Sequence, residues 1–110
     1  MRYQTLTPLS RQAAEPLLAQ VHHRQVELLL RLSLAADACP WKQALFEQHL
    51  QHPAEEVQRA AIQALGHLAR MAPQAFDRPR ALAALTPFTV HATLAGVAED
   101  AWDDITRFVS

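Results

Sequence analysis

The chain has 110 residues, a single Cys and a formal net charge of −1, enough for one domain over 1–110 with one core and too balanced for a global field that draws nucleic acid or anionic lipid. A lone Cys39 closes no internal disulfide, and Met1-Arg-Tyr-Gln-Thr5 lacks the apolar stretch of a signal peptide. No apolar run approaches the about 20 residues of a membrane span, so the expected compartment is the cytosol.

Ala and Leu dominate, only two residues are Gly, and β-branched residues are scarce. Ala and Leu lose little freedom in a helix, whereas Val, Ile and Thr suit strands, so the composition predicts an all-α protein. Residues 1–16 read as irregular. Thr7-Pro8 resembles an N-cap with proline at the first helical position, opening a short helix over 8–14 that Pro16 ends. Leu17 to Ala36 reads as a helix with a broad apolar face of Val21, Val26, Leu28, Leu29, Leu30 and Leu32. Asp37-Ala-Cys-Pro40 breaks it.

A short helix follows from Trp41 to Gln51, anchored by Trp41, Leu45 and either Phe46 or Leu50. His52-Pro53 starts a longer helix to Arg70. Glu55 and Glu56 sit in its first turn and Arg70 in its last, each complementing the helix dipole. Ala72-Pro73 ends it. Asp77 caps a fourth helix over 78–90, kinked near Pro87, with a buried stripe of Leu82, Leu85 and Phe88. Gly96 marks the entry to the last helix, 97–109.

One pattern recurs along this order. Val57, Ala61, Ile62, Leu65 and Leu68 are matched by Val97, Ala101, Trp102, Ile105 and Phe108, all 40 residues later. The spacing within each copy places the anchors on one helical face. Leu45/Leu85 and Leu50/Val90 fall at the same distance, so the short helices repeat with the long ones. Val26, Leu29 and Leu32 echo Ile62, Leu65 and Leu68 at 36 residues. The unit is a short helix, a tight turn and a longer helix. Neither helix buries its apolar face alone, so units stack, with residues 57–68 and 97–108 as parallel neighbours. Truncating Leu65 to Ala is expected to cost about 2–5 kcal/mol.

The segment His52-Pro-Ala-Glu-Glu-Val-Gln-Arg-Ala-Ala-Ile-Gln-Ala-Leu-Gly-His-Leu-Ala-Arg70 resembles a HEAT repeat, with its proline-bearing turn, Val, nearby Arg, paired Ala and Leu-Gly. Leu65-Gly-His-Leu-Ala-Arg70 followed by Gly96-Val-Ala-Glu-Asp-Ala-Trp-Asp-Asp-Ile105 is similar to small bacterial HEAT-like proteins. The likeness spans about residues 24–110. It departs at His52, where HEAT repeats carry Asp, and at Arg59, one place late. It implies a HEAT-like right-handed α-α superhelix of about five helices. Short stand-alone members of this kind bind a protein partner, and some resemble immunity proteins that neutralise toxins. The resemblance therefore implies a non-enzymatic binding module, and most specifically an immunity protein covering a basic, possibly nuclease, toxin domain. The alternative is a scaffold or adaptor subunit of a larger complex.

The most informative polar feature is Glu99, Asp100, Asp103 and Asp104, beside the apolar arc of the last helix. One reading is a soluble cap on the end of the stack, with Asp103 and Arg107 as an i, i+4 pair. The other is an acidic docking surface that attracts a basic partner. Trp102 stands within it as a core filler or an interface anchor. In a level stack Arg59 would lie beside Glu99 and Gln63 beside Asp103, while His67 and Arg70, on one polar face, would either pair with acids of the last helix, the preferred reading, or line an open binding surface. His49 and His52 are spaced i, i+3, yet nothing completes a tetrahedral set, so no metal or cofactor is expected. Cys39 has no recognisable base, and the carboxylates sit on a convex face without a cleft, so no catalytic residue is assigned. Arg59 and Arg70 alone are too few for a nucleic-acid stripe.

Overall fold

The computed structural model describes residues 22–33 and 40–110. The irregular 1–16 segment, the 8–14 helix, the Pro16 break, Val21, and the break at 37–39 with Cys39 lie outside the described residues. What is described contains five α-helices and no strand: α1 His22–Ser33, α2 Pro40–His49, α3 Glu55–Met71, α4 Arg78–Leu85 and α5 Ala95–Phe108. Two 3-10 segments, Pro73–Ala75 and Thr86–Val90, precede and follow α4. The fold is all-α.

The long helices α1, α3 and α5 lie side by side with α3 in the middle, and the short α2 and α4 sit against them. The middle helix is the most apolar in its contacts because it is covered from both sides. Val57, Ala61, Ile62, Leu65 and Leu68 are all buried, and so are Leu29 and Leu32 of α1 and Ala101 and Ile105 of α5. Leu65 and Ile105 belong to one core, as the repeat requires. Val97 and Trp102 pack against it while staying partly exposed. At roughly 25 cal/mol per Å² of apolar surface removed from water, each fully covered Leu or Ile contributes about 1.5–3 kcal/mol.

Cross-helix contacts fix the direction and register of the stack. Arg59 reaches the Thr93 carbonyl, Gly66 meets Ala101, and Arg70 meets Asp104. The partner number rises with the residue number, so α3 and α5 are parallel. Each partner, however, lies 34 or 35 residues downstream, not 40. Ser33 with His67 and Gln43 with Asp77 also stand 34 apart. Successive layers thus slide by more than a helical turn relative to a level stack. The expected pairing of Arg59 with Glu99 fails for this reason: Arg59 pairs with Glu55 at 3.8 Å on its own helix and donates to the Thr93 carbonyl at 3.2 Å.

Local chemistry explains the ends of the elements. Asp77 caps α4 as its sequence position implies, its carboxylate accepting the Arg80 N–H at 3.2 Å. The helix expected over 78–90 stops at Leu85. Pro87 has no N–H to offer the carbonyl four residues back, and its ring crowds that carbonyl, so the α-helical ladder ends and the chain tightens into the 3-10 segment. That change of winding removes Val90 from the apolar face. It is 86% exposed, whereas Leu50, its counterpart in the repeat, is buried. Phe108 departs similarly. It is 44% exposed while Leu68 is buried. The backbone turns extended at Val109 after the helix ends, and Val109 takes the buried place instead.

Two buried polar residues on α2 stand outside the apolar pattern. Gln43 uses its whole amide: Oε1 accepts the Asp77 N–H, and Nε2 donates to the Asp77 carbonyl and to Glu47, each at 2.9 Å. Glu47 in turn holds Arg80 at 2.6 Å. Lys42 is fully buried, with its ammonium 6.0 Å from the centre of the Trp41 ring.

Candidate docking groove between α3 and α5

Gly66 lies in the middle of α3, where glycine is about 1 kcal/mol less favourable than alanine. Space explains it. A Cβ there would stand 3.2 Å from Asp104 Oδ2 and 3.3 Å from the Ala101 Cα. The two small residues let α3 and α5 approach closely, and a groove of about 180 Å³ opens above the contact. Gln63, Gly66 and His67 line it from α3, and Val97, Asp100, Ala101 and Asp104 from α5.

Of the four carboxylates singled out in the sequence, the groove takes two. Asp100 and Asp104 line it one turn apart, and Glu99 and Asp103 stay outside on the exposed strip of the same helix. Trp102 is half-buried against the core and is not in the groove. Asp104 is already engaged by Arg70, Nε to Oδ2 at 3.7 Å, as the shared polar face implies. Asp103 and Arg107 form no ion pair among the described residues, and both are exposed.

His67 is the groove residue that sequence reasoning placed only loosely. Its Nδ1 is 3.2 Å from the Ser33 hydroxyl, which donates its proton to the Leu30 carbonyl at 2.7 Å. The hydroxyl has a single proton, so it accepts here, and His67 carries its own proton on Nδ1. Burial pushes the imidazole below its ordinary value of 6.5, Arg70 pushes the same way, and Asp104 partly opposes both. Around neutral pH the groove therefore presents carboxylate oxygens beside a neutral imidazole. The signal that could have located it was Gly66, a mid-helix glycine in a chain with only two.

Chemically the groove offers acceptors for a cationic group and lacks a hydroxyl, thiol or amine nucleophile among its lining residues. Among the described residues no cluster of three or more His, Cys, Asp or Glu is arranged to hold a metal. His52 serves as a turn residue, its Nδ1 accepting the Ala54 N–H at 3.0 Å. His49 stacks on it with ring centres 6.4 Å apart. No described helix is long and apolar enough to cross a membrane.

No family model matches the chain, and no curated protein matches it. Among solved structures, a chain in the crystal structure of a CDI complex from Cupriavidus taiwanensis LMG 19424 is similar over nearly its whole length. The TM-score is 0.84 with 22% sequence identity, covering 98% of this chain and 97% of that one. At that identity the likeness establishes a shared helical fold.

Proposed function

We propose that this chain is an immunity protein of the contact-dependent inhibition type, a non-enzymatic binder that neutralises a cognate toxin domain. The observation that carries the reading is the end-to-end match to a chain that itself sits in a CDI complex. The arrangement of short and long helices also fits the HEAT-like pairing that the sequence resembles.

The binding surface in this reading is the outer side of α5, with Asp100 and Asp104 in the groove, Glu99 and Asp103 supplying further charge beside it, and Trp102 an aromatic edge. Exposed carboxylates of one sign raise the association rate with a basic partner and make binding sensitive to salt. A toxin that acts on nucleic acid would carry such a basic surface, because its own site must attract phosphates. The cytosol is where such a protein would meet an incoming toxin.

The test is calorimetric titration with the toxin domain encoded beside the gene, together with growth of cells expressing each protein alone and both together. The proposal expects growth arrest by the toxin domain, rescue by co-expression, and a complex tighter than micromolar. Reversing Asp100 and Asp103 to Lys should slow association and flatten the salt dependence. No binding at micromolar concentration removes the reading. Arrest caused by this chain alone would make it the toxic component instead.

A further inference from the structure

The two helices that frame the groove begin with the same atom in the same role. The N-cap residues are Ala54 for α3 and Leu94 for α5, and neither makes a side-chain capping bond of its own. The Ala54 N–H donates to Nδ1 of His52 at 3.0 Å. The Leu94 N–H donates to Nδ1 of His91 at 3.2 Å, and the Thr93 N–H donates to that nitrogen at 3.1 Å. His52 and His91 stand at matching points of the repeat, each just before a long helix. In most such turns an Asp or Asn oxygen accepts these protons. An imidazole nitrogen accepts only while it is unprotonated, which fixes both rings as the Nε2–H tautomer.

Protonation turns the acceptor into a donor and sets it against a backbone N–H. It also adds positive charge at the positive end of a helix dipole. The surroundings differ between the two turns. His52 faces the ring of His49 from α2 and has Glu55 and Glu56 in the first turn of α3. The His91 turn has the Phe88 ring beside it and receives Arg59 from α3, whose guanidinium donates to the Thr93 carbonyl. Arg59 is held by Glu55, so one ion pair ties the start of α3 to the turn before α5.

We propose that His52 and His91 are a linked pair of acid-released caps. When the rings are protonated, both N-cap amides lose their acceptor and the turns that seat α3 and α5 loosen.

Amide hydrogen exchange on the unaltered chain, followed by NMR at about pH 7.5 and about pH 5.5 and corrected for intrinsic exchange, tests this. Protection of the Leu94, Thr93 and Ala54 amides is expected to fall on acidification, while that of Leu65 in mid-α3 holds. Unchanged protection at Ala54 and Leu94 overturns the proposal. A second arm uses H52N/H91N, in which the amide oxygen accepts at every pH. The drop in thermal midpoint on acidification should be smaller than in the parent, with His67 present in both. An equal drop overturns it, and if the double variant does not fold, H91N alone is read the same way.

Discussion

Replacing Gln43 isolates the polar contact that holds the two short helices together. The side chain is 4% exposed and exchanges two hydrogen bonds with the backbone of Asp77, the residue whose carboxylate caps α4. In Gln43→Ala the Asp77 N–H loses its acceptor, while the Asp77 carbonyl gives up one of two donors and keeps the Ala81 N–H at 3.1 Å. The orphaned N–H costs about 1–3 kcal/mol when no water reaches it. Asp77 is exposed, so water recovers part of that. The expected loss is about 1–3 kcal/mol, a fall of about 1–2 M in the urea midpoint for a chain of this size. Gln43→Glu keeps the volume and separates bonding from packing. One carboxylate oxygen still accepts the Asp77 N–H, but the other faces the Asp77 carbonyl and the Glu47 carboxylate, which Nε2 bridges in the parent. That variant should be destabilised at neutral pH and recover on acidification, when a proton restores the donor. Gln48→Ala, exposed on the same helix, should stay within about 0.5 kcal/mol of the parent. Full stability of Gln43→Glu at neutral pH would refute the reasoning.

Three further outcomes are expected. Leu65→Ala should cost about 2–5 kcal/mol by chemical denaturation, since Leu65 is wholly buried in the core. Gly66→Ala would gain about 1 kcal/mol from helix propensity alone, but its Cβ would press on the Ala101 backbone, so no gain is expected; a full gain in a urea titration would mean the helices are further apart than described. His67 is held below its ordinary value of 6.5, so the unfolded chain binds its proton first: its contribution to stability is complete above that value and declines as pH falls below it. Arg70→Met should shrink that decline and Asp104→Asn should enlarge it, read as thermal midpoint against pH.

The apolar faces were legible because helical periodicity is a local signal. Val57, Ala61, Ile62, Leu65 and their partners Ala101 and Ile105 are buried as their spacing implies. Phe108 and Val90 misled because each sits where the winding changes, and the 3.6-residue rule no longer tells which way a side chain points. Lys42 and Gln43 were invisible for another reason: a polar residue is buried only when something distant satisfies it. For Gln43 that partner is the backbone of Asp77, 34 residues on. The repeat length likewise announces how many layers stack but not how far one slides along the next.

That slide decides how the acidic helix is used. Had the layers been level, Arg59 would have met Glu99, and the outer carboxylates would have been partly neutralised from within. With partners 34 residues apart, Arg59 is instead spent on Glu55 and the Thr93 carbonyl, and the α3 cation that reaches α5 is Arg70, which takes Asp104. Both members of that pair are substantially solvent-exposed, so it contributes no more than about 1 kcal/mol. It still makes Asp104 a poor reporter of binding, because reversing its charge disturbs the fold and the groove together. Glu99, Asp100 and Asp103 have no ion-pair partner among the described residues and are exposed, so their charge is available to a guest. A solubilising cap needs charge anywhere on the outer face, whereas a docking surface needs it beside a concavity. Asp100 alone of the three lines the groove, so reversing Asp100 against reversing Glu99 separates the two roles: a cap loses the same from either, and a docking groove loses most from Asp100.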